Sequence, residues 1–448
     1  MIGNQGKIER KLFVNFSIED FVPKDHIFRK IDKVMDFSWI REEVEHLYCA
    51  DNGRPSIDPE VALRLMVGGF FEGVVHDRKL CRKAASDLAL RWFARLDIDA
   101  EVPDHSTFSR LRQRWGEETF KRVFERVLEE CVERGFVNTE TVHVDSTLVR
   151  ANVSWSKVVK KHVGEVVIKN QVDEPEPPSK AGSEKVCLSD PDASLATSST
   201  VKTPEPSYKH HTAVDANGFV VSSEVTTGSV HEGHMLLKQV DDIEDRTGEE
   251  VVTVTADKGY ASAANYANLE EMNIEPLIPP RGVKVEEFKY DGYNEILICR
   301  KGKRFGWKRE TEKGLQFRLK AAKCRDCEHY ETCFRGRKER YVLIRWGHCA
   351  DIRQRRKREK GWDADAKALY GRHRNLVEGV QGEMKNEHGM RRSVRQGLWN
   401  MRIQAWLTSA VINLKRLAKG VFGSFFDQIH FLMRLIRPKL RPLFNLTA

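Results

Sequence analysis

The chain has 448 residues, 40% of them hydrophobic and 31% charged, with a formal net charge of +9. At about 150 residues per domain this length predicts two or three units, and the apolar share suffices for cores, which excludes global disorder. No uncharged apolar run reaches the roughly 18 residues of a membrane span. The best stretch, Ile403 to Leu414, holds Gln404 and Asn413 between Arg402 and Lys415 and reads as a core helix. The opening residues, MIGNQGKIERKLF, lack the apolar core of a signal peptide, so a soluble, cytoplasmic chain is expected.

Charge is unevenly spread. Residues 301–448 hold 36 Lys+Arg against 14 Asp+Glu, whereas residues 1–300 hold 39 against 52. A third of the chain at +22 points to a polyanion, and nucleic acid is the usual one. A merely solvated basic surface is the alternative reading. No basic amphipathic terminal anchor is evident, so no membrane partner is expected.

Residues 1–137 read as helical. Asp58-Pro59 supplies an N-cap and a proline at the first helical position, with Val61, Leu63, Leu65, Met66 and Phe70 as an apolar face. In PDHSTFSRLRQRW, Ser106 is the expected N-cap; Phe108, Leu111 and Trp115 form one face, with Arg110, Arg112 and Arg114 directed away from it. The next helix ends at Gly135. Exposed arginines on short helices fit a helix-turn-helix-like DNA reader, and fit an ordinary helical bundle equally well.

Beyond Thr139 the pattern turns to strands. TVHVDSTLVRA alternates and is rich in β-branched residues. Residues 164–206 carry six of the fifteen prolines and are expected to form a loosely draped insertion. A hairpin turning at Ala216-Asn217-Gly218 follows, then helix, strand, helix and strand, which predicts a mixed α/β sheet flanked by helices.

Asp145 and Asp257 each end an apolar strand, in VHVDST and VTVTADKGY. Either could simply cap the next helix. Downstream, Arg374, Glu378, Gln381 and Lys385 are spaced to share one helical stripe, which by itself fits a solvated face. Three converging carboxylates, Asp145, Asp257 and Glu378, would repel unless cations neutralised them. Oxygen ligands in that number suit two Mg²⁺ or Mn²⁺ ions, with Arg374 and Lys385 flanking them to hold DNA phosphates.

The set HVDST, TADKGY and RNLVEGVQGEMK resembles the DDE transposases of bacterial insertion sequences. Many of these carry a Tyr-x2-Arg-x3-Glu-x6-Lys signature, which Arg374, Glu378 and Lys385 match; Gly371 stands where the tyrosine is expected, and Tyr370 lies one residue early. GRPSIDPEVALRLMVGGFFEG and VPDHSTFSRLRQRW resemble the N-terminal helical domain of the same proteins, and DPDAS at Asp190 and YKHHTAVDANG are also similar. The resemblance implies an RNase H-like catalytic domain. It implies binding of terminal inverted repeats and target DNA by Arg110, Arg112, Arg114, Arg374 and Lys385, and metal-dependent cleavage and strand transfer. A homodimer is implied in the active complex.

Nine cysteines without a signal peptide are expected to be reduced, and Cys49, Cys81, Cys131 and Cys187 are scattered. Cys299, Cys324, Cys327 and Cys333 crowd together and resemble an insertion that related transposases carry. Four thiolates suit a tetrahedral zinc ion; reduced, partly buried thiols are the alternative, and Cys349 leaves the count open.

The expected domains are a helical DNA-binding region at 1–137, a first catalytic part at 138–281, a Cys-rich insertion at 282–349, a second catalytic part at 350–420, and a tail at 421–448. Two other functions stay open: a regulator derived from a transposase that has lost catalysis, and an RNase H-like nuclease without strand transfer.

Overall fold

A computed structural model of the chain describes residues 17–49, 56–153, 158–162, 183–197, 204–280, 288–291, 296–312, 314–345, 350, 351, 354, 357 and 361–423. Two compact units emerge. One gathers Met1–Phe136, Glu383–Arg395 and Trp399–Ala448; the other, Val137–Gly382 with Gln396–Leu398. Residues 383–395 and the last helix thus group with the N-terminal helices, whereas the sequence pattern had suggested a second catalytic part running to 420.

In the helical unit, Asp58 caps the helix Pro59–Phe71 by accepting from the backbone N–H of Glu60 at 2.7 Å. Gly68 of that helix lets Leu90 approach so closely that a Cβ would lie 2.5 Å from its side chain. Arg64 is buried there, ion-paired to Glu60 at 2.6 Å and to Asp32 at 2.7 Å. A buried guanidinium is tolerable only with such partners. The helical stretch His105–Glu133 breaks at Gly116, whose φ of 75° and ψ of 176° interrupt the helix. Its cap is Asp104, not Ser106: the Asp104 carboxylate accepts from the Ser106 N–H at 2.8 Å. The helix Leu398–Phe422 is buried nearly all round from Met401 to Leu414. Its buried Gln404 is satisfied, donating to the carbonyls of Gly389 and Arg392 and accepting from Val394 N–H. No helix among the described residues is long and apolar enough to cross a membrane.

The second unit is built on one mixed sheet. Strands β1 (Thr141–Arg150), β2 (Val158–His162), β3 (Ser183–Cys187), β4 (Asp190–Ala196), β5 (Glu205–Val214), β6 (Val220–Thr227), β7 (Thr253–Ala256) and β8 (Glu275–Leu277) lie in the order β2-β3-β4-β5-β1-β7-β8, with β6 also on β5. β1 runs antiparallel to β5 and parallel to β7, and β7 parallel to β8. Parallel neighbours need crossovers, and the helices Leu236–Thr247 and Ala263–Glu271 provide them. This is the mixed sheet flanked by helices that the sequence pattern predicts. The β5–β6 hairpin turns where the Asp215 carboxylate accepts from the N–H groups of Asn138, Asn217 and Phe219.

Residues 183–197, expected within a loose insertion, instead supply β3 and β4. Proline-rich flanks masked a short buried pattern: Cys187, Ala193 and Ser194 are buried, and Tyr208 donates its hydroxyl to Asp190 at 2.6 Å. Within 164–206, residues 164–182 and 198–203 lie outside the described residues, and 204–206 lead into β5. The Cys-rich region forms two antiparallel three-stranded sheets, β9 (Phe288–Asp291) with β10 (Ile296–Cys299) and β11 (Arg304–Phe305), and β12 (Lys308–Thr311) with β13 (Gly314–Lys320) and β14 (Glu339–Arg345). They share a small core around Leu297, Phe317, Leu319 and Phe334.

Candidate active site

The β-branched run of β1 pairs in register with β7 as far as Val144 opposite Ala256. The next residues are Asp145 and Asp257. Asp257 follows the end of β7, but Asp145 does not end its strand as the sequence suggested: β1 continues to Arg150, because its other edge stays paired with β5, where Asp145 faces Thr212. The two aspartates are thus neighbours just past the parallel pairing, at the carboxyl end of β7, on the side of the sheet where α/β ligand sites form. Asp257 also caps a short turn, its carboxylate accepting from Gly259 N–H at 2.7 Å. The expected capping role is thus real, and it leaves the second carboxylate oxygen uncommitted to that bond. Asp145 accepts from the N–H of Ser146 at 2.7 Å.

Glu378 closes a π-helical turn, Arg374–Glu378, that follows the helix Ala364–His373 and packs against β1 and β5. Single π turns occur mostly inside α-helices and often at functional sites. The turn departs from the straight α-helical stripe expected for Arg374, Glu378, Gln381 and Lys385: Glu378 is exposed while Gln381 is buried. Lys385 is half-buried in the helical unit, and the Arg374 side chain lies outside the described parts.

Electrostatics report the convergence of the acids. Burial first, then the like charges of Asp257, Glu378 and Glu232, push the Asp145 carboxyl up to about 7. Glu232 was not singled out in the sequence. It opens a short turn after β6 and is held by Lys209 at 3.0 Å; its signal would have been the acid in SVHEGH directly after a strand. Beneath the cluster, Tyr260 is fully buried, and burial first and then Asp145 raise its hydroxyl well above its ordinary value. Asp145, Asp257, Glu378 and Glu232 offer only oxygen donors, the type hard divalent cations take, and two of them are exposed. Among the described residues, the His/Cys/Asp/Glu group whose ligand atoms all lie within 4.8 Å of one another is Glu383, Glu387 and His388.

A buried network lies one step behind the acids. His143 shares a short hydrogen bond with Thr255 at 2.6 Å, and Thr255 with His373 at 3.0 Å. Burial first, then the positive fields of His373 and Arg372, push His143 down to about 3. Burial alone takes His373 to about 4, so both imidazoles are neutral near pH 7. Tyr370, one residue early for the transposase signature, stacks its ring on His373 at 5.7 Å and meets Trp362 edge-on at 4.9 Å.

The expected DNA-binding arginines divide. Arg110 and Arg114 are exposed, Arg114 lying over the Tyr48 ring at 4.7 Å. Arg112 does not point outward: it is 3% exposed and grips Asp77 with both terminal nitrogens. Its offsets of four from Phe108 and three from Trp115 put it on the apolar face, and Asp77 makes burial affordable.

In the Cys-rich region Cys324 is buried, and Cys299, Cys327 and Cys333 pack against the same core. Burial raises the Cys324 thiol; nearby Cys299, Cys327 and Cys333 raise it further against the opposing charge of Lys303. Tight turns shape the cluster, with Gly302 N–H on Cys299 O at 2.8 Å and Cys327 N–H on Cys324 O at 3.0 Å. Cys349 lies outside the described residues. A different ligand-type group, Glu383, Glu387 and His388, belongs to the helical unit, where Lys415 meets both glutamates at 2.6 and 2.8 Å. Its charge is already balanced by side chains.

Comparison with known proteins adds the following. Residues 16–114 match the family model described as "Transposase domain (DUF772)", and residues 189–414, half of the chain, match "Transposase DDE domain". No curated protein matches the chain. Among solved structures, the piggyBac transposase synaptic complex with hairpin DNA aligns at 13% identity and a TM-score of 0.32, over 95% of this chain and 80% of that one. The Mos1 transposase paired-end complex with left transposon end aligns at 12% identity and 0.17, over 51% and 62%. At these scores neither likeness carries weight.

Proposed function

Because the chain belongs to the DDE transposase family, whose domain model spans half of it, we propose that it binds the ends of an insertion sequence and catalyses divalent-metal-dependent DNA cleavage and strand transfer. The observation that carries this reading is the β1–β7 register that sets Asp145 beside Asp257, with an Asp145 carboxyl raised by burial first and then by Asp257, Glu378 and Glu232. Asp145, Asp257 and Glu378 would hold two Mg²⁺ or Mn²⁺ ions. When bound, such a pair supplies Lewis-acid stabilisation of the attacking and leaving oxygens of a phosphoryl transfer.

The chain's own groups have separable tasks. Asp145, within β1, and Asp257, just past β7, fix two carboxylates on neighbouring strands, and Glu378 brings the third from the π turn. Lys209 keeps Glu232 ionised. In the first reaction water attacks a phosphodiester and the bond to the 3′ oxygen breaks, leaving a 3′-hydroxyl. In the second that hydroxyl attacks a target phosphodiester, releasing another 3′-hydroxyl. Phosphate contacts are assigned to Arg374 and Lys385 within the basic third, and end recognition to the helices around the exposed Arg110 and Arg114. Joining two ends calls for a homodimer in the active complex.

The four cysteines are assigned one structural zinc ion. The Cys324 thiol, raised by burial first and then by Cys299, Cys327 and Cys333, supports this, as does the small core around them, too slight to be stable alone. Nicking of DNA carrying the sequences that flank the coding region, with Mg²⁺ and with EDTA, tests the enzymatic reading. A strand-transfer assay separates a transposase from a nuclease that only cuts. Binding without nicking in Mg²⁺ would identify the inactive regulator instead.

A further inference from the structure

Each proposed metal-holding acid has a companion one structural step back. His143 lies two residues before Asp145, and Thr255 two before Asp257, so each shares its acid's side of the strand. His143 and Thr255 are also direct partners in the β1–β7 register. His373 lies five residues before Glu378, and the π turn between them is built on five-residue spacing. These three companions meet at one atom, the Thr255 hydroxyl oxygen, 2.6 Å from Nδ1 of His143 and 3.0 Å from Nδ1 of His373.

We propose that the Thr255 hydroxyl is a positioning group, which pins the glutamate-bearing helix to the two aspartate-bearing strands and so sets the spacing of the metal-holding acids. The inference rests on the reading of Asp145, Asp257 and Glu378 as those acids.

Three observations make the pin specific. The hydroxyl has one proton, so it donates to one imidazole and accepts an Nδ1–H from the other; the bonds fix opposite tautomers on the two histidines. All three residues are buried, at 1%, 0% and 7% exposure, so water cannot replace a missing bond. Tyr370 stacks on the His373 ring within 10° of parallel, holding the imidazole in the plane its bond requires. A strand–strand pair alone would align Asp145 with Asp257. The bond to His373 is the one that brings the helix, and hence Glu378, into the same register. Groups that orient metal ligands typically change affinity by roughly ten- to a hundredfold when removed.

The test uses the full chain and direct Mn²⁺ binding, read by electron paramagnetic resonance, alongside Mg²⁺-dependent nicking. Thr255→Val keeps the shape and removes the hydroxyl; Thr255→Ser keeps the hydroxyl. His373→Asn offers a donor and acceptor near the Nδ1 position, and serves also if the valine variant does not fold. The expected result is that a folded Thr255→Val binds Mn²⁺ roughly tenfold or more weakly and needs correspondingly more Mg²⁺ for half-maximal nicking. DNA binding stays unchanged, and Thr255→Ser and His373→Asn each recover most of the loss. Wild-type Mn²⁺ affinity in folded Thr255→Val overturns the proposal, as does failure of both Thr255→Ser and His373→Asn to hold Mn²⁺ better than His373→Phe. Failure of the underlying reading looks different: the wild type itself would bind no Mn²⁺, or Asp257→Asn would bind and nick as wild type does.

Discussion

Asp145 and Asp257 are each the first residue beyond the last paired position of two neighbouring parallel strands, Val144 opposite Ala256. Strand pairing alone brings their carboxylates together. Burial of Asp145 raises its carboxyl most, and repulsion from Asp257 adds to it.

Removing one acid should therefore do more than an outer-shell change. Asp257→Asn and Glu378→Gln are each expected to reduce Mg²⁺-dependent nicking by more than about a hundredfold while gel-shift affinity for DNA is kept. Single-turnover nicking rates check this, and a loss of only a few-fold would remove that residue from the metal-holding set.

Arg112 is a matter of stability. Replacing it by Ala leaves the half-buried Asp77 with Arg395 alone, at 2.6 Å, and empties a buried position, and should cost about 2 kcal/mol. Arg114→Ala, which loses only an exposed contact over Tyr48, should cost less than about 1 kcal/mol and act on DNA binding instead. Urea unfolding midpoints of the two variants decide between them.

Acid should loosen the helical unit through Glu383. Burial by itself would raise its carboxyl, but His388, Lys415 and Arg416 outweigh that and hold it at about 2, below the ordinary 4.5. A lowered carboxyl stabilises the fold above its unfolded value and loses that contribution as pH falls through the folded one. Stability should decline between about pH 4.5 and 2 in the wild type. Glu383→Gln should be weaker at pH 7 and flatter across that window. Parallel stability curves for the two proteins would be the contrary result.

The zinc assignment predicts one equivalent of zinc per chain in metal analysis, with sulfur scatterers at about 2.3 Å in X-ray absorption. Cys327→Ser should lose the metal and lower the melting temperature. Protein without stoichiometric zinc, and indifferent to chelators, would leave the four residues as plain thiols.

Much of this was legible in local patterns. Asp58-Pro59 announced a helix start, the alternation of VHVDST a strand, and the turn before Gly218 a hairpin, because caps, alternation and turns are written within a few neighbouring residues. What escaped depended on distant partners. Arg112 lies inside because Asp77, thirty-five residues away, neutralises it. β4 is held by Tyr208, eighteen residues beyond Asp190, beside a proline-rich stretch whose composition spoke against structure. Glu232 has no motif of its own, and only the folded sheet turns it toward Asp145. The helix from Leu398 reads as buried in isolation, but nothing local says which unit it completes.

The most direct test incubates the purified protein with DNA carrying both flanks of its coding region, a target plasmid and Mg²⁺, and maps the products at nucleotide resolution. The account predicts flank strands with free 3′-hydroxyls and their covalent joining to the target, both absent in EDTA and in Asp145→Ala. Cleavage and joining by Asp145→Ala at the wild-type rate would contradict it.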